Sequence, residues 1–440
     1  MKKLFSSSVF IFIALLIQAQ VNTDAIMKKG ISFVSKRQYI EALSSFNEVI
    51  NTQPKNADAY FYRGITYASM GNINAAIADY SKALEYNPKK TEVYVNRGSA
   101  YSELKQYDEA FADYNKAIQL NPALAEAYNN RGYLYSLEKK YDEALKDFDK
   151  AIAANPKYSM AYINKAFSCS SLGEDSIAVT ILTKLISIHP DYSSAYFNRA
   201  LEYKQLGDKK NALKDYDKGL SFEPNDATAL VLRAEIRDET GDHKGAVDDC
   251  TKALQLDGNN AKAYYVRSLA EYDIPDYKAV INDCIHAIQI KPDHWEAYVH
   301  RANAYDLLGN YEDALKDYNK ALEINPKAIN AYDQRAIARA SKNDVVGALS
   351  DLTRALMIEP DNIKLLEKRA ILLGATKNYK EAIDDYSKIL EVNSNDIKSL
   401  VARADLLVIQ GKKEQACADY KRAEALGDGA AMSKRIFNCK

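Results

Sequence analysis

The sequence is poor in residues that break helices, with 17 Gly and 10 Pro among 440 residues. This scarcity excludes a collagen-like chain and a flexible linker. There is no surplus of either charge, because 59 Lys and Arg stand against 60 Asp and Glu, which argues against a dedicated nucleic-acid binder. Apolar residues make up 47%, which excludes wholesale disorder. Tyr is abundant instead: 32 Tyr against 12 Phe and one Trp suggest one position used many times.

The prolines define a period of 34 residues. Nine of the ten lie on this lattice: Pro54, Pro88, Pro122, Pro156, Pro190, Pro224, Pro292, Pro326 and Pro360. With the lattice proline at repeat position 32, residues 23–430 divide into twelve repeats, which begin at Thr23, Ala57, Thr91, Ala125, Ser159, Ser193, Ala227, Ala261, Trp295, Ile329, Ile363 and Ile397. A fixed period of this length indicates a repeat architecture. It leaves no segment for a separate catalytic domain.

Each repeat reads as two amphipathic helices. In residues 57–90, apolar residues recur at spacings of three and four on both sides of Gly71, and Asn72 is a candidate N-cap. Position 8 is always small and position 24 is aromatic in eight repeats, so we expect large side chains to face small ones. The pattern predicts an all-α chain of helix-turn-helix units.

These residues resemble the tetratricopeptide repeat family. The second repeat carries Tyr60, Arg63, Gly64 and Tyr67 at the spacing Y-x2-R-G-x2-Y, followed by a turn Gly, A-x3-Y-x2-A and N-P. The resemblance covers residues 23–430. It implies a right-handed superhelical solenoid whose concave groove is lined mainly by the first helix of each repeat, with residues 431–440 as a C-terminal capping helix. A single repeat cannot bury its apolar face alone, so neighbouring repeats must stack.

Positions 7 and 23 vary together. Position 7 is Arg in ten repeats and position 23 is Asp in the same ten. The coincidence predicts an ion pair between the two helices of a repeat, and Arg suits it because its planar group can bind a carboxylate through two hydrogen bonds. Representative pairs are Arg63–Asp79, Arg199–Asp215 and Arg301–Asp317. Capture of a phosphate or carboxylate ligand by the Arg row is the alternative.

The resemblance implies ligand contacts at positions 2, 5, 9, 12 and 13. The candidate groove residues are Phe61, Ile65, Asn129, Asn130, Tyr133, Ile163, Asn164, Phe167, Phe197, Leu201, Glu235, Asp238 and Glu239. In repeats two to six these residues form a row of apolar and aromatic side chains flanked by amides. Such a row could hold an extended peptide, with Asn side chains forming hydrogen bonds to the peptide backbone. The alternative is that positions 5 and 9 pack against the neighbouring repeat. From repeat seven the same face turns acidic, which favours either a basic partner segment or simple solubility.

The first 19 residues read as a secretory signal peptide. Lys2 and Lys3 precede an apolar run from Leu4 to Ile17, and cleavage is expected after Ala19. A retained membrane anchor and a cytosolic helix are the alternatives. We therefore expect an exported protein of bacterial type, in the periplasm, associated with the outer membrane or secreted.

Export permits disulfides. Cys417 and Cys439 each lie eleven residues from Asp428, so an antiparallel hairpin would bring them to the same height. This arrangement predicts a disulfide between Cys417 and Cys439 that attaches the capping helix, and two unrelated thiols are the alternative.

No catalytic constellation is visible. The sequence has no phosphate-binding Gly-rich loop, G-x-S-x-G, C-x-x-C or EF-hand loop. His294 and His300 are six apart, which does not match helical zinc ligands, so we expect no metal site, no cofactor and no enzyme activity. The sequence favours a scaffold that binds a protein or peptide partner, of unknown identity, in its groove. A binder of cell-wall or surface glycan, contacted by Tyr133, and a structural homo-oligomer remain alternatives.

Overall fold

The computed structural model describes residues 23–274 and 276–439 and contains 25 helices and no strand among them. The predicted signal peptide, residues 1–19, lies outside the described residues. The first helices of the repeats are α1 (residues 23–35), α3 (Ala57–Ser69), α5 (Thr91–Glu103), α7 (Ala125–Leu137), α9 (Ser159–Ser171), α11 (Ser193–Gln205), α13 (Ala227–Glu239), α15 (Ala261–Asp273), α17 (Trp295–Leu307), α19 (Ile329–Ser341), α21 (Ile363–Ala375) and α23 (Ile397–Ile409).

The second helices of the repeats alternate with the first. They are α2 (Tyr39–Thr52), α4 (Ile73–Tyr86), α6 (Tyr107–Leu120), α8 (Tyr141–Ala154), α10 (Asp175–Ile188), α12 (Lys209–Phe222), α14 (His243–Leu256), α16 (Tyr277–Ile290), α18 (Tyr311–Ile324), α20 (Val345–Ile358), α22 (Tyr379–Val392) and α24 (Lys413–Ala425). A last helix, α25 (Gly429–Asn438), follows. The paired helices confirm the predicted all-α fold.

The chain forms two compact units, which divide between Pro224 and Asn225. The first unit holds repeats one to six, and the second holds repeats seven to twelve with α25. From α2 onward, every helix within a unit packs on the next, and neighbouring first helices also contact one another, as α5 with α7 and α7 with α9. Each repeat therefore buries its apolar face against its neighbours, as a nearest-neighbour stack requires.

In the eleven repeats whose position 15 the structure describes, the turn between the two helices has a left-handed residue at that position. Gly71, with φ of 78°, is one example, and the turn is completed by Asn72, whose side chain accepts a hydrogen bond from the Ala75 backbone N–H, as predicted. Five of these eleven repeats have a residue other than Gly there: Arg37, Lys105, Lys139, Asn343 and Lys377. The turn geometry is therefore kept even where the sequence does not offer glycine.

The tyrosines pack against small residues in the interior of the repeats. The Tyr94 hydroxyl at position 4 donates a hydrogen bond to the carbonyl of the lattice residue Pro88. A Cβ added at Gly64 would lie 2.7 Å from the ring of Tyr80, so only glycine allows that ring at position 24 to pack so closely. Gly30, Gly98 and Gly132 face aromatic rings in the same way. Small residues at position 8 thus make room for large ones at position 24, as expected.

Helix α25 covers the end of the second unit. It begins at Gly429, two residues before the predicted capping helix, because Asp428 accepts hydrogen bonds from two backbone N–H groups of its first turn. The Sγ atoms of Cys417 and Cys439 lie 1.97 Å apart, with their Cα atoms 5.8 Å apart. Cys169, Cys250 and Cys284 are buried free thiols.

Along the described residues no helix combines the length and apolar character needed to cross a membrane.

Candidate partner-binding face

Three large apolar side chains are exposed at position 9 of consecutive repeats in the first unit. Tyr133, Phe167 and Leu201 are 47%, 61% and 37% exposed, and we call these three residues the apolar strip. They lie on the first helices α7, α9 and α11, at the repeat positions that the family resemblance associates with ligands. Burying such surface is favourable, at about 25 cal/mol per Å² of apolar area. The apolar strip can therefore bind an apolar surface of another molecule.

Two of the predicted groove residues are not available to a ligand. Phe61 is 7% exposed and Asn129 is 3% exposed, which corrects their assignment to the surface. The ring of Phe61 packs 6.0 Å from that of Tyr80, and the ammonium group of Lys90 lies 4.7 Å from its centre. Position 5 therefore faces the interior and the next repeat, where a large side chain is covered by its neighbours.

Phe197 is held in place by an unusual glycine. Its ring stacks on Tyr216 at a centroid distance of 6.2 Å, and it is half-buried. Position 27 of this repeat is Gly219, where eight other repeats have Ala, and a Cβ there would overlap the ring of Phe197. Phe197 is therefore a packing residue that supports the apolar strip. Ile65 and Ile163, also predicted for the groove, are likewise half-buried.

The amides bond mainly to each other. The Asn164 side chain donates to the Asn129 oxygen at 3.0 Å, and Asn129 donates to the Asn130 oxygen at 3.1 Å. Asn130 in turn donates to the hydroxyl of Ser99 at 3.3 Å. This chain of bonds links repeats three, four and five through their first helices. The amides therefore connect neighbouring repeats. Their hydrogen-bonding groups, which the sequence analysis assigned to a bound peptide, are engaged within the protein.

Four acidic residues of the second unit already have basic partners in the chain. Glu235 pairs with Lys262 at 2.8 Å, and Asp238 lies 2.7 Å from the imidazole of His243. Similar pairs are Asp333–Lys368 at 2.6 Å and Asp405–Lys434 at 2.5 Å. Glu239 is exposed on the same face. These pairs reduce the negative charge that a basic partner segment would meet.

A second apolar surface, which the sequence analysis missed, lies in the second unit. Ile337 and Ile371, at position 9 of repeats ten and eleven, are 44% and 56% exposed. With Leu372 and the stem of Lys368 they line an apolar cleft of about 240 Å³. The apolar residues at position 9 were a usable signal, but the acidic residues around them dominated the sequence interpretation.

The structure brings together every Arg–Asp pair at positions 7 and 23. The ten pairs have N–O distances of 2.5–2.8 Å, and the Asp side chains are at most 10% exposed. In each, as in Arg63–Asp79, Arg199–Asp215 and Arg301–Asp317, two guanidinium nitrogens donate to the two carboxylate oxygens. This bidentate geometry occupies the Arg row, so an external anion would have to displace a buried carboxylate.

The same arginines also reach the preceding repeat, which the sequence analysis did not foresee. The third nitrogen of Arg199 donates to the Thr183 hydroxyl, at position 25 of repeat five, at 2.8 Å. Seven more arginines make this contact: Arg63 with Asn47, Arg97 with Ser81, Arg131 with Asn115, Arg267 with Thr251, Arg335 with Asn319, Arg369 with Thr353 and Arg403 with Ser387. In repeat five Lys165 instead pairs with Asp149 at 2.5 Å. Position 7 therefore joins neighbouring repeats as well as the two helices of one repeat.

One carboxyl near the apolar strip is buried without full compensation. Glu202, which follows Leu201, is 8% exposed, and its Oε2 has no hydrogen-bond partner. Burial raises the pKa of this carboxyl, and a hydrogen bond from Ser170 only partly opposes the shift. Ionisation of Glu202 therefore destabilises the folded first unit.

Six of the twelve repeats match the tetratricopeptide repeat family. Residues 57–90, 91–124, 125–158, 193–226 and 295–328 match one form of the repeat, and residues 227–260 match another. The chain is a tetratricopeptide repeat protein. The matched segments have the same boundaries as the repeats that the proline lattice defines. This tetratricopeptide repeat protein has no match among curated proteins.

Several solved structures resemble it. A tetratricopeptide repeat protein from Parabacteroides merdae ATCC 43184 is 27% identical, over 56% of this chain and 98% of that one, with a TM-score of 0.46. Yeast Tom70 is 17% identical, over 96% of this chain and 94% of its own, with a TM-score of 0.44. MamA is 28% identical, over 38% of this chain and 96% of its own, with a TM-score of 0.34.

Proposed function

We propose that this tetratricopeptide repeat protein is an exported scaffold that binds an extended partner segment along the apolar strip. Tetratricopeptide repeats support a role in protein–protein interaction. The observation that carries the finer proposal is the exposure of Tyr133, Phe167 and Leu201 at one repeat position in three consecutive repeats. Large apolar side chains aligned in this way leave surface exposed that a partner would cover.

The spacing of the strip restricts the partner. Packed helices lie about 8–10 Å apart, so neighbouring strip residues should be about 10 Å apart. A polyproline II segment rises about 3.1 Å per residue with three residues per turn, which puts every third side chain on one face at about 9 Å. A β-strand presents alternate side chains to one face at about 7 Å. The fit favours a polyproline II segment with an apolar residue at every third position.

Export rests on the leader and on the two C-terminal cysteines. A bond between Cys417 and Cys439 would persist in an oxidising compartment and would attach α25 to α24. Two measurements on protein from its native host test this part. Amino-terminal sequencing should begin at Gln20, and thiol labelling of denatured protein should find three free thiols before reduction and five after it. An intact Met1 or five thiols before reduction would contradict the proposal.

Binding is tested with paired peptides of equal composition. One carries Leu at every third position and the other at every second position, and fluorescence anisotropy reports binding to purified residues 20–440. We expect tighter binding of the first peptide, and loss of that binding in the double variant Phe167→Asp, Leu201→Asp. Phe197 is left unchanged because it supports the interior. Both substituted side chains are exposed, so thermal unfolding should be nearly unchanged.

A matched control lies at the same repeat position in the second unit. The variant Ile337→Asp, Ile371→Asp carries the same charge change and should keep the peptide affinity of the wild type. Equal loss in both variants would show that added charge, rather than the apolar strip, decides binding. Equal binding of both peptides to wild type would contradict the proposed spacing. If neither peptide binds, while sedimentation shows self-association or a surface glycan binds through Tyr133, one of the alternative functions replaces the scaffold.

A further inference from the structure

Three potential metal ligands from two neighbouring repeats meet in the second unit. They are Asp238 on α13, His243 at the start of α14 and Asp273 at the end of α15. One ligand atom from each lies within 4.8 Å of the other two. The Nδ1 atom of His243 is 2.7 Å from Asp238 Oδ1 and 3.7 Å from Asp273 Oδ2. One imidazole and two carboxylates therefore converge on one point.

The separations suit a tetrahedral ion. Zn²⁺ binds imidazole nitrogen and carboxylate oxygen at about 2.0–2.2 Å, so two ligands of a tetrahedral site lie about 3.4 Å apart. The two measured distances, 2.7 and 3.7 Å, lie on either side of this value. Asp273 is 54% exposed in its side chain and can rotate, while Asp238 at 14% and His243 at 30% are more enclosed. Rotation of Asp273, together with a small widening of the Asp238–His243 contact, would thus complete the site.

The surrounding charges favour a cation. Two helix C-termini, those of α13 and α15, end beside the cluster, and each carries partial negative charge. His243 is the first residue of α14, whose N-terminus carries partial positive charge. Two helix ends therefore favour a cation and one opposes it. The nearby guanidinium of Arg237 is engaged by Asp249 at 3.0 Å and by Asp242 at 3.6 Å. Among the described residues, the imidazole of His243 is in contact with both ligand carboxylates, and the more distant imidazole of His300, whose pKa is lowered by burial, also lies in their field.

We propose that Asp238, His243 and Asp273 form a binding site for a divalent transition-metal ion of the Zn²⁺ class. Imidazole with carboxylate suits Zn²⁺ better than Mg²⁺ or Ca²⁺, which prefer oxygen ligands alone. The bound ion joins the α13–α14 turn of repeat seven to the end of α15 in repeat eight. A fourth coordination position is left for water or for a group of a partner molecule.

The test is calorimetric titration of untagged, full-length protein with Zn²⁺ in the presence of excess Mg²⁺. We expect one Zn²⁺ per chain, and at least tenfold weaker binding in both His243→Ala and Asp273→Asn. The histidine of the first unit, which lies outside the cluster, supplies the control, since His189→Ala should bind as tightly as wild type. Thermal unfolding without metal checks that each variant is folded, and Asp273→Asn is conservative at an exposed position.

Cobalt distinguishes this site from the free thiols. Co²⁺ should give ligand-field absorption without a thiolate charge-transfer band, and the signal should disappear in His243→Ala. No Zn²⁺ binding to wild type, equal affinity in wild type and both variants, or a thiolate band that persists in His243→Ala would each overturn the proposal. These results do not depend on peptide binding, so they leave the proposed scaffold function to its own test.

Discussion

The two units share one framework and differ in the residues that the first helices expose. Arg–Asp pairs occur in both, with Arg199–Asp215 at 2.7 Å in the first unit and Arg301–Asp317 at 2.7 Å in the second. At position 9, repeats four to six expose Tyr133, Phe167 and Leu201. The equivalent position in repeat seven is Glu235, which pairs with Lys262. Positions 7 and 23 therefore join the two helices of a repeat in both units, while the residue at position 9 differs between repeats.

The largest expected effect is the loss of an Arg–Asp pair, which should be similar in both units. Arg199→Ala and Arg301→Ala each leave a buried carboxylate unpaired, so each should lower the free energy of unfolding by about 3–5 kcal/mol. Lys165→Ala is the matched control, because its partner Asp149 is 62% exposed, and it should cost less than about 1 kcal/mol. Urea denaturation measures all three. A loss below about 1 kcal/mol for both arginine variants would show that the pairs do not hold the framework.

Replacing a helical glycine by alanine should have a smaller effect on stability, and the sign of this effect should differ between the two units. Gly219→Ala forces a methyl group against Phe197 and should cost about 1–3 kcal/mol, because the packed ring must shift. Gly374→Ala meets its nearest side-chain atom at 3.7 Å, an ordinary contact, and should stabilise its helix by up to about 1 kcal/mol. Thermal unfolding should give opposite signs. Stabilisation by both substitutions would mean that Phe197 does not depend on Gly219 for its place.

The smallest effect concerns the buried carboxyl beside the apolar strip. Because its folded pKa is raised above the ordinary value of 4.5, Glu202 favours the folded state when protonated, and stability falls as pH rises above that value. Glu202→Gln should therefore stabilise the protein by about 1 kcal/mol at neutral pH and reduce the fall in stability between acid and neutral pH. The exposed Glu391→Gln in the second unit is the control. Equal pH profiles for wild type and Glu202→Gln would contradict the expectation.

Much of the framework was predictable because each position is repeated twelve times. The proline lattice predicted the repeat boundaries, and the shared exceptions in repeats one and five predicted contact between positions 7 and 23. The Arg contact to position 25 was not foreseen. Its acceptor is Thr183 in one repeat and Asn115 in another, so no single residue type marks it. A hydrogen bond needs only an oxygen, which different side chains supply equally well.

The exposed face was harder to predict, because exposure depends on which neighbours cover a side chain. The sequence analysis assigned both Phe61 and Phe167 to the groove, yet Phe61 is 7% exposed and Phe167 is 61% exposed. The cluster of Asp238, His243 and Asp273 was also missed. Asp238 and Asp273 are 35 residues apart, one repeat length plus one, which places them side by side in consecutive repeats. Searching for ligands one repeat apart, rather than within one helix, would have found them.

Site-specific photo-crosslinking in the native host tests the central claim most directly. A photoreactive residue replaces Phe167 in one strain and Ile371 in another, so the same repeat position is probed in each unit. The account predicts one partner crosslinked from position 167 and not from position 371, with the crosslinked peptide carrying apolar residues at every third position. Crosslinking of the same partner from both positions, or from position 371 alone, would contradict it.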